Sequence, residues 1–107
     1  MFMSSTECIL ALTTVSNEPQ ARDLARQLVE SRLAACVNQV RVASTYSWKG
    51  AVEEEPEILL LIKTTRARQA DLQNALLEAH PYELPEFITL PITDGSEPYL
   101  KWLQDSV

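Results

Sequence analysis

The chain has 107 residues, 46% hydrophobic and 22% charged, with a formal net charge of −6. That length fits one domain, residues 1–107, and exceeds the size at which a core needs disulfides or a metal to hold it. Nine scattered Lys and Arg against fifteen Asp and Glu argue against a nucleic-acid partner, which takes clustered cations to neutralise phosphates.

No membrane partner is expected either. The longest apolar run, Ile58 to Ile62, is far below the roughly 20 residues of a membrane span, and no basic amphipathic stretch is present. Met1 to Glu7 has no positive region ahead of a hydrophobic stretch, so no signal peptide is expected. Cys8 and Cys36 make neither a disulfide framework nor a CxxC pair, and a reducing cytoplasm is the simplest location. His80 is the one histidine, which excludes a His-rich zinc site within a single chain.

The first expected strand is Cys8 to Thr14, nearly all apolar and so buried on both faces. A helix follows, with Asn17 as N-cap, Pro19 in its first turn and Gln20 at the capping-box position. Ala21, Leu24, Ala25, Leu28 and Val29 form its apolar stripe. Two long strands come next, Cys36 to Trp48 and Val52 to Thr65, with Lys49-Gly50 as the tight turn between them. Pro56 marks an edge or a bulge in the second of these. The acidic run Glu53 to Glu57 reads as solvated surface.

A second helix is expected from Arg66 to Ala79, capped by Thr64 or Thr65, with Leu72, Ala75, Leu76 and Ala79 as its stripe. His80-Pro81 ends it. Pro81 to Glu86 is a rigid loop, and Phe87 to Ile92 is the last strand. Ser96 caps a C-terminal helix with Glu97 and Pro98 in its first turn, and Tyr99, Trp102 and Leu103 on its buried face.

The order β-α-β-β-α-β plus a terminal helix predicts an α+β, ferredoxin-like sandwich. An internal echo supports it: Ile9 to Thr14 matches Leu60 to Thr65, and Ala21-x-Asp23-Leu24 matches Ala70-Asp71-Leu72. The long hairpin is the anomaly. Strands of this length reach about 43 Å at 3.3 Å per residue. A 107-residue globule is roughly 35 Å across. The hairpin should therefore project, carrying Val42, Tyr46, Trp48 and Val52, and projecting apolar residues ask for a partner. A homo-oligomer clasped by the hairpin is expected.

Several segments, in order and over most of the chain, are similar to one known family. Arg26-x-Leu28-Val29-Glu30-x-Arg32-Leu33-Ala34-Ala35-Cys36-Val37-Asn38 resembles the signature of the CutA divalent-cation tolerance proteins. Ser44-x-Tyr46-x-Trp48-x-Gly50, Leu61-Ile62-Lys63-Thr64, His80-Pro81-Tyr82-Glu83-x-Pro85-Glu86 and Tyr99-Leu100-x-Trp102 resemble its later blocks. The resemblance implies a ferredoxin-like subunit in a homotrimer and a role in tolerance to copper or another divalent cation. In copper-binding members it implicates a Cys at the end of the first strand and paired His residues ahead of Pro-Tyr. Here Thr13 stands at the Cys position, and the His pair reads Ala79-His80.

Two ligand sets follow. His80, Glu83 and Glu86 are the candidate metal ligands; the competing reading of His80 is a hydrogen-bonded residue after a helix C-terminus. Lys63, Trp48, Tyr46, Tyr82 and Tyr99 are the candidate walls of a small-ligand pocket across a subunit cleft, with Lys63 as anion contact; the competing reading is an interface network. Met1 and Met3 are soft atoms at the terminus and are not expected to be ligands. No nucleophile–base–acid set, P-loop or GxGxxG is present, so an enzyme is not expected. The alternative to a metal-tolerance trimer is a regulatory module similar to the PII signalling proteins, taking a small anionic ligand between subunits.

Overall fold

Residues 7–107 are described in the computed structural model, and Met1 and Met3 lie outside them. The chain runs β1 (Cys8–Val15), α1 (Glu18–Glu30), β2 (Cys36–Trp48), β3 (Ala51–Thr65), α2 (Gln69–Ala79), β4 (Ile88–Pro91) and α3 (Glu97–Asp105). The strands form one antiparallel sheet in the order β2-β3-β1-β4. The α+β, ferredoxin-like plan holds, and the two echoed strands, β1 and β3, are neighbours at its centre. Among the described residues no helix is long and apolar enough to cross a membrane.

Side-chain alternation sorts the sheet into two faces. Ala11, Thr13 and Val15 of β1 share one face with Ile62, Leu60 and Ile58, their partners on β3. All six are buried, and the core they build is closed by Ala21, Leu24, Ala25 and Leu28 of α1 and by Leu72 and Leu76 of α2. The second face carries Leu10 and Leu12 opposite Leu90 and Ile88, and Leu59 and Leu61 opposite Val40 and Asn38. Neither α1 nor α2 covers it. Val40, Ile88 and Leu90 are 45%, 52% and 44% exposed.

The helix ends follow local chemistry. The Asn17 side chain accepts from Gln20 N at 2.9 Å, and Gln20 Oε1 accepts from Ser16 N at 3.3 Å, a capping box displaced by one residue. At the other end of α1, Arg32 takes a φ of 60°, with Leu33 N donating to Leu28 O and Arg32 N to Val29 O. That is the Schellman pattern, with Arg where Gly is commonest. Between β2 and β3, Lys49 and Gly50 both have positive φ, 50° and 82°. A two-residue hairpin turn requires this, and Gly50 meets it without strain.

Several expectations need correction. Val29 is 41% exposed, because it falls past the edge of the stripe that α1 presents to the sheet. The segment Arg66–Arg68 is a 3-10 turn rather than the first turn of α2: Thr65 makes no side-chain cap bond, Arg66 N donates to Glu7 O, and Gln69 N donates to Arg66 O across the tighter turn. Ala79 is exposed. The last strand is shorter than expected at both ends. On α3 only Leu103 is buried; Tyr99 and Trp102 are 41% and 47% exposed. Of the two expectations for Pro56 the edge holds and the bulge does not: the β2–β3 register is unbroken, and Pro56 lies beyond Val15–Ile58, where β1 pairing stops and one side of β3 is open.

The hairpin does project. Residues 51–57 of β3 pair with β2 alone. The molecule measures 43 × 30 × 24 Å with a radius of gyration of 14.4 Å, above the about 13 Å of a compact chain this long.

Candidate functional site: a cleft at the foot of the hairpin

The loop after α2 turns round the end of β1 and is pinned there by His80. Its Nε2 lies 2.9 Å from Thr14 O, and its Nδ1 accepts from Tyr82 N at 3.1 Å. The acceptor role of Nδ1 leaves the proton on Nε2, which donates to Thr14. The ring is buried and meets Tyr82 edge-on at 4.7 Å. Both nitrogens are therefore engaged within the chain.

Tyr82 carries the loop onto the second face of the sheet. Its hydroxyl donates to Glu57 Oε2 at 2.7 Å and accepts from Ser16 Oγ at 2.9 Å. Burial and Glu57 push the Tyr82 hydroxyl up to about 12 against the opposing Ser16 bond, so it remains a donor. Alternation along β3 puts Glu53, Glu55 and Glu57 on this same face, opposite Tyr46, Ser44 and Val42. The Tyr46 hydroxyl is also raised, by loss of water and then by these three carboxylates. The result is an electronegative cleft of about 550 Å³, with Tyr46, Trp48 and Tyr82 as aromatic walls and Glu57 and Glu86 as acids.

The expected metal set is not brought together. His80 spends both nitrogens on the loop, Glu83 stands 3.9 Å from Lys49, and Glu86 lines the cleft. Among the described residues no three His, Cys, Asp or Glu side chains are grouped to hold a metal ion. Thr13 is fully buried on the helix side of the sheet, away from the cleft face. Cys8 is buried under α3, and Cys36 is half-buried on the second face; both are free thiols. The donors that the cleft does offer are carboxylate oxygens, which suit a hard divalent ion and make only a weak copper site.

The expected ligand-pocket set divides in two within one chain. Tyr46, Trp48 and Tyr82 share the cleft. Lys63 is at the other end of β3, ten positions from the Tyr46 partner Glu53, or about 33 Å at 3.3 Å per residue. There its ammonium lies 3.5 Å from Tyr99 Oη, and Tyr99 packs on Trp102 at 5.4 Å.

Glu57 is a cleft residue that the acidic run Glu53 to Glu57 disguises as solvated surface. The available signal is the two-residue period that sets Glu53, Glu55 and Glu57 opposite Tyr46, Ser44 and Val42.

The pinning by His80 has a measurable consequence. Burial holds the imidazole below its usual range, against the opposing pull of Thr14 and Glu57. The unfolded chain then binds that proton more readily than the folded one. Stability from this group is complete above about pH 6.5 and is lost as pH falls through the lower folded value. His80→Ala is expected to cost about 2 kcal/mol through two lost hydrogen bonds. It should also flatten the fall in thermal midpoint below about pH 6.5 relative to the unsubstituted chain. Parallel slopes in the two proteins would rule His80 out as the titrating group.

Comparison with known proteins places the geometry in a family. The profile described as CutA1 divalent ion tolerance protein matches residues 9–106. The protein named Divalent-cation tolerance protein CutA from Thermus thermophilus is 46% identical over 98 residues, 91% of this chain and 95% of its own. Protein CutA homolog from Xenopus laevis is 48% identical over 98 residues, 91% of this chain. The chain spans only 65% of that relative and 53% of Protein CutA from Homo sapiens. Among solved structures, CutA from Synechococcus elongatus superposes with a TM-score of 0.91 at 40% identity, covering 98% of this chain and 93% of its own.

Proposed function

Since the chain belongs to the CutA1 divalent ion tolerance family, we propose that it acts in divalent-cation tolerance as a non-enzymatic homotrimer that binds copper or another divalent cation weakly. The observation that carries this reading is the cleft itself. Glu57 and Glu86 would hold the cation through oxygen, with Glu83 at the rim, while His80 holds the loop that forms one wall. A bound cation supplies a positive charge to that carboxylate floor. Self-assembly is supported by the apolar second face of the sheet and by the projecting hairpin. The free thiols Cys8 and Cys36 fit a reducing compartment such as the cytoplasm.

Calorimetric titration of the metal-stripped protein with copper(II), repeated with copper(I) under anaerobic reducing conditions, tests the site. Weak copper(II) binding that persists in His80→Ala and is lost in Glu86→Gln is expected. Tight binding of one ion per subunit abolished in His80→Ala would overturn the carboxylate assignment.

A second reading rests on Lys63. Among the described residues no carboxylate pairs with its ammonium, which lies beside the Tyr99 hydroxyl and 5.6 Å from its ring. A PII-like module would present that cation to a small anionic ligand in a subunit cleft. Saturable binding of inorganic phosphate that is lost in Lys63→Ala would favour this reading.

A further inference from the structure

The cleft has aromatic walls and an acidic floor, and its most buried carboxylate has no counter-charge. Glu57 is only 7% exposed. One of its oxygens accepts from Tyr82. Within one chain, among the described residues, no Lys or Arg pairs with it; Arg41, partner of Ile58 in register, is on the helix face, where it pairs with Glu18. A carboxylate with no cation beside it attracts an incoming positive charge.

The aromatic walls narrow the kind of cation. The faces of Tyr and Trp attract a cation within about 6 Å of the ring centroid. This chain already contains that contact: Lys49 Nζ lies 5.4 Å from the Trp48 centroid and 3.9 Å from Glu83. An ammonium thus meets an aromatic face and a carboxylate together at the rim of the cleft. The floor beyond the rim, at Glu57, is left unanswered. The space, about 550 Å³, suits a small organic molecule.

We propose that the cleft binds a small organic cation, an alkylammonium or quaternary ammonium, with its charge toward Glu57 and its methyl or methylene groups against Trp48, Tyr46 and Tyr82. This goes beyond the divalent-cation reading and does not depend on it. A hydrated metal ion draws on carboxylate oxygens, whereas an alkylammonium also draws on ring faces. An anion is disfavoured here, because Lys63 is at the far end of β3.

Tetramethylammonium chloride is the probe, titrated into the full chain carrying Trp102→Phe, with Trp48 fluorescence as the readout. Sodium chloride at matched ionic strength is run in parallel. A saturable change with tetramethylammonium, absent with sodium and lost in Glu57→Gln, is expected. Removing the rim ammonium in Lys49→Ala should tighten binding about two- to fivefold, as the loss of one exposed cation–π competitor. Saturation transfer from the protein to the tetramethylammonium methyl protons, measured on the unsubstituted chain, gives a readout that needs no variant to fold. Absence of transfer, an equal response to sodium, or unchanged binding in a folded Glu57→Gln protein would overturn the proposal. The copper titration is scored separately, so the two assignments can fail independently.

Discussion

Leu61→Lys is expected to convert the proposed trimer into a 12.0 kDa monomer that keeps its fold. Leu61 is at the middle of the second face of the sheet, opposite Leu12 on β1 and Asn38 on β2. Around it, Leu10, Leu12 and Leu59 are half-buried, and Val40, Ile88 and Leu90 are more exposed still. A contiguous apolar surface of this kind marks an association site rather than scattered surface hydrophobics. In a symmetric assembly each copy repeats the substitution, so every interface must bury an unpaired ammonium. Helices α1 and α2 pack on the opposite face, and the core they close does not include Leu61. Native mass by sedimentation should therefore fall while helical circular dichroism persists. An unchanged native mass above the monomer would remove this face from the interface.

Leu28→Ala tests the other face. Leu28 is fully buried between α1 and the sheet, within the cluster that includes Leu60, Ile62, Leu72 and Leu76. Its truncation removes buried apolar surface and leaves a cavity, at a cost of about 2–5 kcal/mol. A domain of this size has a total stability of about 5–15 kcal/mol, so the loss should lower the thermal midpoint by about 10 °C or more. Val29→Ala, one residue on, is the control. Val29 is 41% exposed, and its truncation should stay within about 0.5 kcal/mol. Equal losses at both positions would contradict the helix orientation described here.

The contrast between Leu28 and Val29 shows what the sequence makes legible. The spacing of Ala21, Leu24, Ala25 and Leu28 identifies the buried stripe, because a helix with one period turns one face to the sheet. The same spacing extends to Val29, and only the angle at which α1 meets the sheet excludes it. The order of elements and the ferredoxin-like plan are readable from the β-α-β-β-α-β succession and the echo between Ile9–Thr14 and Leu60–Thr65. The hairpin ends were readable too, since Lys49-Gly50 supplies the two positive φ angles of its turn.

The site was legible residue by residue but not as an arrangement. Tyr46, Trp48, Tyr82 and Glu86 do share a cleft. Lys63 and Tyr99 share sequence blocks of the same kind, yet β3 carries Lys63 to the opposite end of the sheet. His80 stands out as the lone imidazole, but composition says nothing of what its nitrogens bond. The Thr14 carbonyl and the Tyr82 amide are backbone groups, invisible to a search for side-chain ligands. Glu57 was hidden in the opposite way. Inside an acidic run it resembles solvated surface, and its burial depends on Tyr82, 25 residues away.

An aromatic, acidic cleft adjoins a sheet face that a second and third copy would cover. The most direct test is the native mass of the unsubstituted protein at micromolar concentration, by sedimentation equilibrium. A mass of three times 12.0 kDa is predicted. A monomer of 12.0 kDa would leave the second face bare in solution and contradict the account.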